Sequence, residues 1–130
     1  MSLKQSLKHL AFNTLAALDR TSAPPLNSIR NFLLLQHSTA LGTVLHSTPL
    51  IPALRAAVPD ANIVVAASGF GLEVFRGNPG VTTVLPMPNP TANLREAARK
   101  LRHALPLEQP FATLTPLGNE RSAIGLASWT

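Results

Sequence analysis

The chain has 130 residues, 45% of them hydrophobic and 13% charged, which excludes a disordered tail and fits about one ordinary globular domain. Eleven Lys and Arg against six Asp and Glu give a net charge of +5 and a pI near 11.2, a balance that favours anionic partners. Cysteine is absent, so disulfide frameworks, thiolate zinc sites and thiol nucleophiles are excluded together, and a reducing compartment fits.

Leu3, Leu7, Leu10, Leu15 and Leu18 recur at helical spacing, so residues 2–19 read as an amphipathic helix. Two placements stay open for it: docking on a neighbouring part of the protein, or resting on an anionic membrane. No apolar run reaches the roughly 18 residues needed to span a bilayer, and the N-terminus lacks the features of a secretory signal. The turn-forming composition of residues 21–28, with Pro24 and Pro25, reads as a linker, so the division is 1–28 for helix and linker and 29–130 for the body.

From residue 29 the pattern alternates strand and helix. Phe32, Leu33, Leu34 and Leu35 form a continuous apolar run, the signature of a strand buried on both faces of a parallel sheet. A turn with Ser38, Thr39 and Gly42 feeds a helical stretch over 43–58, in which Pro49 and Pro52 require a bend or a restart. Residues 62–67 read as a second strand, giving a βαβ unit. A short helix over 72–76 follows the Gly69–Gly71 turn, then a β-branched strand over 81–85. Pro86, Pro88 and Pro90 punctuate an extended connection. Residues 93–105 form a further helix, 111–114 a fourth strand, and 122–129 the opening of another helix. The expected fold is α/β, a Rossmann-like open parallel sheet with helices on both faces, and the unfinished last helix suggests the leading part of something longer.

A strand that ends in such a turn makes a ligand crevice at the strand ends, so binding is expected near Gly42. Ser38, Thr39 and Thr43 can donate hydrogen bonds to phosphate or sugar oxygens, and Thr43 serves equally well as a helix cap. His37 and His46 flank the turn as an acid–base or substrate-binding pair, or as packing and surface histidines; with no carboxylate nearby in sequence they make a poor metal site. Gly69-Phe70-Gly71 lacks the third glycine and the acidic residue of a dinucleotide fingerprint, and no Walker loop occurs. Arg95, Arg99, Lys100 and Arg102 form the one dense basic cluster, with 95, 99 and 102 on one helix face. No Tyr and a single Trp argue against nucleic acid as the partner.

The run Leu33-Leu34-Leu35, Ser38, Ala40-Leu41-Gly42, Thr48-Pro49-Leu50, Ala53-Leu54-Arg55 and Pro59-Asp60-Ala61 resembles the N-terminal signature of the family 9 glycosyltransferases, the ADP-heptose:lipopolysaccharide heptosyltransferases and their relatives. Gly69 with Gly71, Arg76-Gly77-Asn78-Pro79, the strand over 81–85, the strand over 111–114 and Arg121-Ser122-Ala123 extend the likeness to about residue 129. The resemblance implies the N-terminal, acceptor-side half of a GT-B enzyme, with a second, missing domain binding the nucleotide-sugar. The implied reaction is inverting transfer of heptose from ADP-heptose to a glycolipid core acceptor, with no essential metal and no resident cofactor. It implies a bacterial protein of the cytoplasm, in peripheral contact with the inner face of the inner membrane. The family pattern puts an Asp base directly after the turn glycine, where this chain has Thr43, a hydroxyl far too weakly basic to replace a carboxylate. His46 or His37 would then have to supply the base, with Ser38, Thr39 and Gly42 as substrate contacts. His37 also stands where the family tends to carry a basic residue, and its neutral form would grip an anionic acceptor less well. The alternatives are a catalytically degenerate sugar- or nucleotide-binding relative, or a stand-alone Rossmann-like binding module.

Overall fold

A computed structural model gives the fold and describes residues 25, 28–90, 92–105 and 111–115. The expected helices over 2–19 and 122–129, and most of the 21–28 linker, lie outside the described residues. Eight elements follow in order: β1 (Asn31–Gln36), α1 (Leu41–Ser47), α2 (Leu50–Ala57), β2 (Asn62–Ala67), α3 (Phe70–Arg76), β3 (Thr83–Pro86), α4 (Leu94–Ala104) and β4 (Phe111–Leu114). The four strands make one all-parallel sheet in the order β3-β2-β1-β4. This is the α/β open sheet that the alternating pattern of the sequence implies.

Side-chain alternation along the two central strands builds two cores. Phe32 and Leu34 of β1 join Ile63, Val65 and Ala67 of β2 against Val44, Ile51, Leu54 and Phe75 from α1, α2 and α3. Leu33 and Leu35 join Val64 and Ala66 against Ala97, Ala98 and Leu101 of α4 on the other face. Leu33, Leu34 and Leu35 are each 0% exposed, so each contributes on the order of 2 kcal/mol of apolar burial. An unbroken apolar run is the pattern this double burial requires.

The helical stretch over 43–58 breaks where its prolines demand. α1 stops at Ser47, Thr48 Oγ1 donates to the Leu45 carbonyl at 2.8 Å, and α2 restarts with Pro49 at its N-cap. Pro52 falls in the first turn of α2, where its missing N–H leaves no intrahelical bond unmade. α4 opens on a reciprocal cap: Asn93 Oδ1 accepts from the Glu96 amide at 3.1 Å while its Nδ2 donates to Glu96 Oε2 at 3.2 Å.

Arg55 fastens the end of the sheet where β2 and β3 begin. Its Nε donates to the Gly80 carbonyl at 2.9 Å, Nη1 to those of Pro59 and Ala61 at 3.0 and 2.6 Å, and Nη2 to Thr82 Oγ1 at 3.1 Å. Thr82 Oγ1 in turn accepts from the Ile63 amide at 3.0 Å. The guanidinium is thereby committed to holding two turns together.

Candidate functional site

The order of the strands decides where a crevice can open. From β1 the chain steps through β2 to β3 on one side and then returns to place β4 on the other side of β1. The helices change faces at the same step, α1 to α3 packing with one core and α4 with the other. The order of the strands therefore reverses between β1 and β4, the place where open parallel sheets form a crevice at the strand ends. Residues 37–40, between β1 and α1, are one lip of that opening.

A buried polar node shapes this lip. Gln36, the last residue of β1, is 0% exposed. Its Nε2 donates to Ser47 Oγ on α1 at 2.7 Å, and its Oε1 accepts from the Ser38 amide at 3.2 Å. Ser47 Oγ passes its own proton to the Val44 carbonyl at 2.7 Å. Ser38 Oγ then accepts from the Ala40 amide at 3.2 Å, so the chain is turned into α1 by side chains rather than by a glycine. On the neighbouring strand end, Ser68 donates through its amide to the Gln36 carbonyl and through Oγ to the His37 carbonyl, each at 3.3 Å.

The six residues singled out from the sequence fall on this lip and on α1, with different surroundings. Ser38 and Thr43 are half-buried, while Thr39, Gly42 and His46 are exposed. His37 is 3% exposed and packed at the end of β1. The two histidines are thus separated in kind, one inside and one on the solvent side of α1. Thr43 does not cap a helix: α1 begins two residues earlier, its N-cap is Ala40, and no side chain caps it.

Glycine matters at a different turn from the one the sequence emphasised. Gly42 is the second residue of α1, and a methyl group there would meet nothing within 4 Å. The β2–α3 turn does demand glycine, as does the Gly80 position, where a Cβ would sit 2.6 Å from Ile51 Cγ2. Gly69 has φ +56° and ψ −132°, a combination side chains disfavour, and a Cβ on Gly71 would sit 3.1 Å from the Ala67 Cβ and 3.4 Å from the Gln36 carbonyl. Gly71 thus lets α3 press against the end of β1 that carries the polar node.

The rim is apolar as well as hydroxylated. Leu41 and Leu45, one turn apart on α1, are 46% and 50% exposed, and Phe70 at the start of α3 is 51% exposed. α1 and α3 pack against each other, so these large side chains belong to neighbouring helices. No acidic residue stands between Ser38 and Ser47. Among the described residues no group of three or more His, Asp or Glu could hold a metal ion.

Two concavities lie elsewhere. One of about 640 Å³ sits between α2 and the turn at Asn78–Gly80, but its charged group is Arg55, already spent on backbone carbonyls. Another of about 230 Å³, lined mainly by Leu85, Met87 and Leu101 with Lys100 beside them, lies between β3 and α4. Neither brings convergent polar groups together, and the strand-end lip remains the better candidate on chemistry.

The fold and this site define an α/β protein with a Rossmann-like open sheet and a hydroxyl-lined lip at its reversal point. Comparison with protein-family models, with curated proteins and with solved structures returned no match. Among the described residues no helix is long and apolar enough to cross a membrane.

Gln36, Ser47, Gly69 and Gly71 were not singled out from the sequence as parts of the site. One signal was available for Gln36, a lone amide closing an apolar strand. Its partner lies 11 residues away on another element, a pairing that only the packing of α1 on the sheet creates.

Proposed function

We propose that this chain is the acceptor-side domain of a glycosyltransferase resembling family 9, binding a glycolipid acceptor at the β1–α1 lip. The observation that carries the reading is that small hydroxyl side chains after β1 (Ser38, Thr39, Thr43) share a segment with the exposed Leu41 and Leu45, while the helix packed against α1 exposes Phe70. Hydroxyls and loop amides suit sugar and phosphate oxygens, whereas half-exposed leucines suit the apolar part of an amphiphile. The donor, ADP-heptose, would bind a second domain, and the acceptor would be met at the inner face of the inner membrane.

In this reading Ser38 and Thr39 hold the acceptor by hydrogen bonds. His46, exposed one turn beyond Gly42, is the nearest group able to take a proton from an acceptor hydroxyl. Thr43 holds that hydroxyl without deprotonating it. The test is incubation of the full-length protein with ADP-heptose and a lipid A–core acceptor. Heptose transfer supports the enzyme, and the absence of both transfer and donor hydrolysis removes it.

A second reading, binding without turnover, is favoured by Thr43 itself. A carboxylate is missing from the whole segment between Ser38 and Ser47, so acceptor recognition can persist where base catalysis has gone. Gain of transfer in Thr43→Asp supports this reading, and full activity in the unmodified protein excludes it.

A further inference from the structure

β1 ends on a residue that its burial alone does not require. Phe32, Leu34 and Gln36 form the row of β1 that faces α1 and α3, and Gln36 is as completely buried as the two apolar side chains before it. Its register partner on β2 is Ala67, also fully buried. The position is thus an apolar one filled by an amide, at a cost in desolvation and rotamer freedom that an aliphatic side chain would largely avoid.

The amide is used at both of its polar atoms. Nε2 donates to Ser47 Oγ at 2.7 Å, a bond that stays inside the core, while Oε1 accepts from the Ser38 amide at 3.2 Å, a bond that reaches the lip. Ser68 donates to the carbonyls of Gln36 and His37. Three consecutive backbone groups entering the turn are therefore held from the ends of β1 and β2. Beyond them, among the described residues, no part of the body other than Gln36 bonds the backbone of Ser38 or Thr39.

We propose that Gln36 is a positioning residue of the β1–α1 lip: from inside the core it fixes the Ser38 amide, and through it the direction in which the Ser38 and Thr39 hydroxyls meet the acceptor. The inference rests on the reading of that lip as the acceptor site. A turn ordered before its ligand arrives does not charge the ordering to binding, so releasing it weakens affinity even where no ligand contact is removed.

Ser47 separates positioning from stability. Ser47→Ala leaves Oε1 bonded to the Ser38 amide and strands Nε2 in the core. Gln36→Leu frees the Ser38 amide and strands no buried side-chain amide, and Ser47 Oγ keeps its bond to the Val44 carbonyl. The first variant is the greater loss of stability and the second the greater loss of acceptor affinity. A side chain that merely stabilised the fold would rank the two variants the same way in both measurements.

The test is titration of the full chain and of each variant with a lipid A–core acceptor, well below the melting midpoint of each, beside thermal melts of all three. Gln36→Leu is expected to bind about tenfold more weakly, the loss that goes with one hydrogen bond. Ser47→Ala is expected to stay within about twofold of the wild type although it has the lower Tm. Should Gln36→Leu not fold, Gln36→Met takes its place, keeping an unbranched side chain of similar length without the amide. Undiminished binding by the Gln36 variant, or affinities that follow the order of the melting temperatures, would overturn the positioning role while leaving the acceptor site standing. No binding by the wild type would remove the acceptor reading itself, and this role with it.

Discussion

Removing the hydroxyl of Ser47 is expected to destabilise the protein by more than removing both members of its hydrogen-bonded pair. Gln36 is 0% exposed and Ser47 4%, so when Ser47→Ala takes away the acceptor of Gln36 Nε2, water has no route to replace it. An unsatisfied buried donor costs about 1–3 kcal/mol. Alanine returns roughly 0.5 kcal/mol of helix propensity over serine, which leaves a net loss of about 1.5 kcal/mol. Gln36→Leu releases Ser47 Oγ and the half-buried Ser38 amide but buries an apolar side chain in their place, for a loss of about 1 kcal/mol. In Gln36→Leu with Ser47→Ala the buried side-chain amide is gone and only the half-buried Ser38 amide is released, so the double variant is expected to lose only about 1 kcal/mol, well short of the sum. Urea unfolding of all four proteins, with equal m values as the check on two-state behaviour, measures the coupling. Amide exchange adds a local readout: Ser38 is expected to exchange faster in Gln36→Leu and to change little in Ser47→Ala. Additive losses in the double variant, or a neutral Ser47→Ala, would refute the claim that this node is closed to solvent and sets the lip.

Three other outcomes follow from the same geometry. Gly69→Ala is expected to cost about 1–3 kcal/mol because its backbone dihedrals disfavour a side chain, whereas Gly42→Ala, in open space inside α1, is expected to be neutral or to stabilise by about 0.5 kcal/mol; thermal melts of the pair separate the two turns. Arg55→Ala is expected to lose about 2 kcal/mol, since it strands the part-buried Gly80 and Ala61 carbonyls, and Arg55→Lys is expected to recover little of this because an ammonium cannot reach four acceptors in a plane. Thr43→Asp in the full-length protein is expected to raise heptose transfer by about 100-fold or more if a general base is what the site lacks; an unchanged rate would assign proton removal to another group.

Strands were legible in this sequence wherever burial alone dictates them. The β2 bounds expected at 62–67 coincide with those observed, most of the strand being the apolar run Ile63–Ala67 that is buried on both faces. β1 runs one residue further at each end than its apolar stretch, taking in Asn31 and Gln36. These ends are polar because one ties to Asn62 and the other to Ser47. The break in the 43–58 stretch was legible from the proline rule, but the start of α1 at Leu41 was not, since no capping side chain marks it. The sequence placed the candidate site at the end of β1, and the observed strand order reverses beside that strand. Gly42 lies inside α1 rather than in the turn, with open space around it; glycine is needed at Gly69 for its dihedral angles and at Gly71 and Gly80 for close approaches to Ala67 and Ile51, and none of these is written in local sequence. His37 and His46 look equivalent as letters, yet the end of a buried strand hides one and the outer face of α1 displays the other.

The central claim, that the β1–α1 lip receives an amphiphilic sugar acceptor, is tested most directly by titrating the labelled chain with a lipid A–core acceptor and following its amide resonances. Shifts concentrated at Ser38, Thr39, Gly42, Thr43 and His46, with Leu41, Leu45 and Phe70 moving alongside them, are the expected result. Shifts confined to the concavity at Asn78–Gly80, or no shifts at saturating acceptor, would contradict it.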